Sequence, residues 1–208
     1  MLDSTGAPVL GVVLAGGKSR RMGDGDKCLI SLAGRPLVDH VIGRARPQVA
    51  TLIVNAGGEA SRFSAWGLEV AADVIGGFAG PLAGVLTGYE WASANLPQAR
   101  WMATFATDAP FLPEDLVGRL YEAVEREGAD IACAASGGRA HPVFALWPLR
   151  LKDDLRRVMV EEGVRKVDMW TSRYRTVRVD FSPLPFDPFF NINSPGDLAA
   201  AEKIIAAG

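Results

Sequence analysis

Short apolar runs, each stopped by glycine, proline or a polar residue, alternate along this chain with stretches whose apolar residues recur every three or four positions. Few folds accommodate that alternation. Val9 to Leu14 is the first run and feeds Gly16-Gly17; Thr51 to Asn55 is the second, closed by Gly57-Gly58. Glu69 to Ala72, Trp101 to Ala106, Ala129 to Ala134 and Pro142 to Trp147 follow, and Tyr174 to Val179 reads as an edge strand. Helical patterns lie between them, at Pro36 to Arg46, Leu82 to Ala94 and after Pro113, where Leu116, Leu120 and Val124 make one stripe that Gly128 stops. Ser194 is placed to cap a last helix that has Pro195 at its first position and Leu198 and Ile204–Ile205 as apolar anchors. Strands alternating with helices predict a three-layer α/β/α architecture around a mostly parallel, Rossmann-like sheet. With no repeat, low-complexity stretch or linker, residues 1–208 read as a single domain, and the proline-broken Ser182 to Asp187 as a loop within it.

Composition narrows the class. At 49% hydrophobic and 22% charged, the chain is expected to bury a sizeable core rather than stay disordered. A formal net charge of -2 supplies no global basic field, so a nucleic-acid partner is not expected. Cys28 and Cys133 lack metal-ligand spacing and a disulfide framework is not expected, which favours a reducing cytoplasm. No apolar run approaches the roughly 20 residues that span a bilayer, and Met1 to Pro8 has no basic-then-apolar targeting pattern. A soluble, cytoplasmic protein without a membrane partner is the expectation.

Open sheets of this kind bind ligands beyond the carboxyl ends of their strands. After the first run comes L-A-G-G-K-S-R-R-M-G, Leu14 to Gly23, and then Asp26-Lys27. Glycines there let backbone amides approach a ligand and cradle phosphate oxygens. Lys18, Arg20, Arg21 and Lys27 put four cations into ten positions, a density suited to a triphosphate and the charge growing on its leaving group. Two familiar phosphate motifs are excluded: the P-loop would need a glycine where Val12 stands, and G-x-G-x-x-G is absent. The rival reading is a polar, glycine-rich surface loop.

Further residues follow other strands. Asp108, after Trp101 to Ala106, puts a carboxylate at the end of a central strand, where magnesium is usually held with substrate phosphates; an Asp that starts a proline turn is the alternative. Asp73 and Asn55 are strand-end residues that read either as ligand contacts or as turn formers. Gly80-Pro81-Leu82-Ala83-Gly84 resembles a loop entering a helix whose amides face an anion, or plain helix initiation. His141 before Pro142 reads equally as a substrate contact or a loop histidine. Asn191 and Asn193 flank Ile192, so in an extended stretch both point the same way; Asn193 instead helps cap the last helix on the rival reading. Arg165 and Lys166 after Gly163 are cations for a phosphate or a solvated helix start.

L-A-G-G-x-S-x-R-M-G-x-x-x-K resembles the signature loop of nucleotidyltransferases, and specifically of molybdenum cofactor guanylyltransferases. The resemblance runs on through Asn55–Ala56, Asp73, G-P-L-A-G at Gly80 to Gly84, D-x-P-F at Asp108 to Phe111, His141–Pro142 and F-N-I-N-x-P at Phe190 to Pro195. It implies the nucleotide-diphospho-sugar transferase type of fold. It also implies nucleotide contacts at Leu14, Ala15, Gly16, Gly17, Lys27, Asn55, Asp73 and Asp108, Mg2+ on Asp108, and catalytic roles for Arg21, Lys27 and Asp108. Acceptor contacts are implied at Gly80, Pro81, Leu82, His141, Arg165, Asn191 and Asn193. The substrates it implies are GTP and the molybdopterin cofactor, joined into molybdopterin guanine dinucleotide with release of pyrophosphate. Guanine-using members resemble L-A-G-G at the loop and cytosine-using relatives tend to L-A-A-G, so Gly16-Gly17 favours guanine. Hand-off to molybdenum cofactor insertion proteins, chaperones or molybdoenzymes is implied as well. The alternatives are a relative that uses CTP or another phosphorylated acceptor, and a nucleotide-binding regulator without turnover.

Overall fold

The computed structural model describes residues 1–16, 26–76 and 80–207. Its strands are β1 (Val9–Leu14), β2 (Ser31–Leu32), β3 (Arg35–Pro36), β4 (Thr51–Asn55), β5 (Glu69–Ala71), β6 (Trp101–Ala106), β7 (Ile131–Ser136), β8 (Arg139–Pro148) and β9 (Thr176–Phe181). Its helices are α1 (Leu37–Ala45), α2 (Pro81–Asn95), α3 (Leu116–Glu127), α4 (Lys152–Val160), α5 (Val167–Thr171) and α6 (Pro195–Ala207). Seven strands form one sheet in the order β5-β4-β1-β6-β8-β7-β9, and β2 and β3 pair as a separate small hairpin. β1 pairs in parallel with β4 and β6, β4 with β5, and β7 with β9. β8 alone runs against its neighbours. This is the three-layer, mostly parallel architecture expected.

The strand alternation explains the layers. On β1, Val9 and Val13 face one core with α1 and α3, while Leu10 and Val12 face the other with α2, α4 and α5. Burial on both sides is why the parallel strands read as continuous apolar runs rather than alternating ones. On α3, Leu116, Val117, Leu120 and Val124 are each at most 2% exposed, and burying each such side chain contributes about 1.5–3 kcal/mol. Gly128 ends α3 in the left-handed conformation, with φ 59°, as its position after the stripe predicts. In the second core Trp147 stacks on Trp170 at 5.8 Å between ring centres. Asp154 on α4 accepts from Trp170 Nε1 at 2.9 Å and from the Tyr174 hydroxyl, tying α4 to α5.

α6 starts as its sequence dictates. Ser194 Oγ accepts the Asp197 amide at 3.2 Å, and Asp197 returns the favour by accepting the Asn193 amide at 2.9 Å. The helix packs Ala201 and Leu198 into a third cluster with Leu32, Leu37, Phe111 and Ile192. Differences from the sequence expectations are mainly of extent. The expected fifth strand begins two residues later, at Ile131, because Ala129 and Asp130 cross from Gly128 toward Arg175. β8 begins three residues before the expected Pro142, since Gly137 and Gly138 turn the chain tightly enough for Arg139 to pair with Ser136. α5 begins at the helix start that Arg165 and Lys166 offered as an alternative; α4, whose buried Leu155, Val158 and Met159 recur at helical spacing, and the hairpin were not expected.

Candidate nucleotide site

β1 lies between β4 and β6, the place where the sheet's winding reverses, and a ligand crevice is expected there. A cavity of about 390 Å3 opens at that point. Leu14, Ala15 and Gly16 after β1 line it, with Asn55 from β4, Asp73 beyond β5, and Ala106, Thr107 and Asp108 at the end of β6. Lys27 and Cys28 come from a short 3-10 helix, Gly80, Pro81 and Gly84 from the start of α2, and Val143 from β8. Four strand ends and one helix start therefore converge on one space.

The charged centre is compact. Lys27 Nζ lies 2.8 Å from Asp108 Oδ2 and 2.5 Å from Asn193 Oδ1. Lys27 and Asp108 have side chains only 16% and 27% exposed, so water screens this pair less than a surface ion pair. Asn193 arrives because the Ile192 amide donates to the Asp108 carbonyl at 2.8 Å, stitching the segment before α6 to the end of β6. Ile192 is fully buried between Asn191 and Asn193.

On the opposite wall Asn55, 3% exposed, donates its amide to Ala71 O at 3.2 Å and to Asp73 Oδ1 at 2.9 Å. One amide proton thus anchors Asn55 to the end of β5 and the other aims the exposed Asp73 carboxylate. α2 closes in on this pair at Gly84, where a Cβ would sit 2.5 Å from Asn55 Oδ1 and 2.5 Å from Leu14 Cδ2. Gly80 caps α2 with φ 72° and no side-chain cap, Pro81 brings no N–H, and the Ala83 amide donates to Gly80 O at 3.1 Å, so what α2 offers the cavity is the positive end of its dipole.

The two thiols do not serve nucleophilic chemistry. Burial, reinforced at Cys28 by the Asp26 carboxylate, pushes Cys28 up to about 12, and burial pushes Cys133 up to about 11.

The structure brings Leu14, Ala15, Gly16, Lys27, Asn55, Asp73, Gly80, Pro81 and Asp108 to one cavity, with Asn193 beside it. Gly17 and Arg21 lie outside the described residues. Four other expected contact residues have side chains that do not line this cavity. Leu82 is fully buried and faces the α2 core, because it sits on the helix face turned to the sheet. His141 is 7% exposed, stacked on Phe189 at 4.6 Å and bonded to Ser136 Oγ at 2.7 Å, so it lies in a separate interior cluster. Burial lowers its pKa, against the pull of Asp187. Arg165 spends its guanidinium on the carbonyls of Met159 at 2.6 Å and Val164 at 2.9 Å, close behind the end of α4. Asn191 is half-buried and does not line the cavity. Thr107, Val143 and Cys28 line the site without having been singled out; for Thr107 the signal was adjacency to Asp108.

Asp108 and Asn193 also answer whether a hard divalent cation fits. Their oxygens already converge on one cation, the Lys27 ammonium, and carboxylate and amide oxygens are the donors such a metal prefers. Among the described residues no group of three His, Cys, Asp or Glu side chains is placed to hold a metal. A metal here would draw its remaining donors from the ligand and water.

Comparison with known proteins gives the family. A family model described as MobA-like NTP transferase domain matches residues 11–176. A molybdenum cofactor guanylyltransferase from Rhodopseudomonas palustris (strain BisB5) is 53% identical, covering 98% of this chain and 96% of that protein. One from Bradyrhizobium sp. (strain ORS 278) is 50% identical, covering 99% and 97%. The crystal structure of molybdopterin-guanine dinucleotide biosynthesis protein A from Archaeoglobus fulgidus superposes with a TM-score of 0.74 at 25% identity, covering 96% of this chain and all of that one. With a family domain matched over most of its length and relatives at half identity end to end, the chain belongs to the molybdenum cofactor guanylyltransferase family of MobA-like nucleotidyltransferases.

Proposed function

We propose that this protein transfers GMP from GTP to the terminal phosphate of molybdopterin, releasing pyrophosphate, in a magnesium-dependent reaction. The names of its relatives support the reaction class. The observation that carries the reading is the Lys27 ammonium held between Asp108 Oδ2 and Asn193 Oδ1 on the wall of a cavity built from strand ends.

An acceptor phosphate oxygen forms a bond to the α-phosphorus of GTP while the bond from that phosphorus to the bridging oxygen of the β-phosphate breaks. The electron pair leaves with pyrophosphate. The attacking phosphate is already ionised near neutral pH, so no side chain need act as a base, which agrees with the interior position of His141. Magnesium, held by Asp108 and Asn193, would supply positive charge to the phosphates. Lys27 moves from Asp108 to the triphosphate and neutralises charge that grows on the leaving group. The Gly16 backbone and the positive end of the α2 dipole attract phosphate oxygens from two sides. Asp73, aimed by Asn55, is placed to accept from donors on the base edge. Arg21 adds a further cation from the loop, and Gly16-Gly17 favours guanine.

Two buried free thiols support a reducing, cytoplasmic setting. Among the described residues no helix is long and apolar enough to cross a membrane. The product is handed to molybdenum cofactor insertion proteins, chaperones or molybdoenzymes.

The test is pyrophosphate release from purified molybdopterin and magnesium with GTP, CTP and ATP in turn. Strong preference for GTP is expected. Preference for CTP would retain the reaction and overturn the choice of base; no release with any nucleotide and intact acceptor would overturn the reading.

A further inference from the structure

Lys27 is carried by a 3-10 helix of three residues, Lys27–Leu29, too short to orient a side chain by itself. Something outside it must fix its direction. Asp26 precedes this helix in the N-cap position, yet its carboxylate does not cap it. Instead Asp26 Oδ1 accepts the Cys28 thiol at 3.3 Å, and Asp26 Oδ2 pairs with Arg62 Nη1. Arg62 lies on another 3-10 helix, Ala60–Trp66. Its second terminal nitrogen, Nη2, donates to the carbonyl of Gly57, two residues beyond Asn55 at the end of β4. Its guanidinium carbon sits 5.0 Å from the ring centre of Phe63, which is fully buried. One planar fork therefore joins the rigid end of a central strand to the carboxylate next to Lys27. The Asp26–Arg62 contact is an ion pair rather than a hydrogen bond, since Asp26 Oδ2 and Arg62 Nε find no hydrogen-bond partner, and exposures of 29% for Arg62 and 20% for Asp26 leave it only partly screened by water.

We infer that Arg62 is a positioning residue for nucleotidyl transfer, acting through Asp26 to hold Lys27 where its ammonium meets the nucleotide phosphates and Asp108. This rests on the proposed role of Lys27 as a phosphate-neutralising group. Arg62 touches no reacting atom; its effect passes through the Asp26 carboxylate and the Lys27 backbone, where the Leu29 amide donates to Asp26 O at 2.9 Å. Lysine cannot replace it fully, because one ammonium does not span from Asp26 Oδ2 to the Gly57 carbonyl as the two terminal nitrogens of a guanidinium do.

The test measures GTP affinity by calorimetry and pyrophosphate release with molybdopterin for wild type, Arg62→Ala, Lys27→Ala and the double variant, with thermal melting of each. Arg62→Ala is expected to weaken GTP binding by about tenfold, within the range of coupling inside one hydrogen-bond network, and to raise KM more than it lowers kcat. In the Lys27→Ala background the same change should cost nothing further, since there is no ammonium left to position. Asp26→Asn should reproduce the Arg62→Ala loss, and Arg62→Lys should restore part of it. Should Arg62→Ala fold poorly, Arg62→Lys with and without Lys27 carries the same comparison. Wild-type affinity in the Arg62 variants, or losses that multiply with that of Lys27→Ala, would overturn the inference. Nucleotide affinity that behaves as expected in a protein that never turns over with molybdopterin would keep it and sink the choice of acceptor.

Discussion

Lys27 Nζ and Asp108 Oδ2 are 2.8 Å apart, and the same ammonium reaches Asn193 Oδ1 at 2.5 Å. The lysine that the proposed reaction needs on the phosphates, and the carboxylate it needs on a metal, are here spent on each other. Substrate binding must break that pair, and the two groups can then be separated by experiment.

Asp108→Asn keeps the size of the side chain and removes its charge. It is expected to lower transfer by about 100-fold or more, the scale of losing a preorganised electrostatic group, with little change in thermal melting. Near-normal pyrophosphate release at ordinary magnesium would remove Asp108 from the metal role.

Lys27→Ala should act in opposite directions on metal and on turnover. Without a competing ammonium, Asp108 and Asn193 are free, so Mn2+ in the absence of nucleotide should bind roughly tenfold tighter, the size of one hydrogen bond to a charged group. Transfer should fall. Electron paramagnetic resonance of free and bound Mn2+ reads the first effect, and unchanged Mn2+ affinity would show that the ammonium does not compete for that position.

Gly84→Ala tests the close approach of α2 to Asn55 and Leu14. The added Cβ meets Asn55 Oδ1 and Leu14 Cδ2, each at 2.5 Å. Leu14 has some freedom to move, but Asn55 is locked by its two bonds to Ala71 and Asp73. Overpacking of this kind costs about 1–3 kcal/mol, read as a lower melting temperature, and GTP affinity should fall with it. A variant with wild-type melting and affinity would mean that Asn55 and Asp73 are not held rigidly.

His141 predicts the sign of a pH effect. Burial holds its folded pKa below the ordinary 6.5, with Asp187 opposing. The unfolded chain therefore takes up the proton more readily as pH falls below 6.5, so stability is full above that value and declines beneath it. Asp154 acts at lower pH: burial raises it, but hydrogen bonds from Tyr174, Trp170 and Arg157 outweigh this and pull it down to about 2. Its contribution is present above the ordinary 3.8 and fades as pH falls toward about 2. Melting curves against pH should show the first decline in wild type and a flatter profile in His141→Gln; an unchanged profile would assign the decline elsewhere.

Most cavity residues that were legible in the sequence end or closely follow apolar runs, while Lys27, Gly80 and Pro81 were legible through their loop motifs. Leu14 to Gly16, Asn55, Asp73 and Asp108 could be located because a strand's end fixes where its next residue points. The inward turn of the Leu82 side chain was not legible, because a motif names a segment while the helix period decides which of its side chains face the sheet. His141 was ambiguous for a related reason. The β7–β8 ladder shifts register between Cys133 and Ala134, and period-two reasoning does not carry across such a shift. Arg62 was illegible: nothing in A-S-R-F-S marks it, and its partner Asp26 is brought near only by folding. α4 was hidden in the charged K-D-D-L-R-R, whose meaning depends on the partners Asp154 finds in α5 and Tyr174.

The bond from the Ile192 amide to the Asp108 carbonyl has a consequence for synthesis on the ribosome. Lys27 and Asp108 are made early, and domains made N-terminal first begin to fold as they emerge. The oxygen of Asn193 is added only after β9 has been translated. A nascent chain that has already assembled most of its sheet still lacks the third group on its central cation. The charged centre is thus completed only after all seven strands of the sheet have been translated.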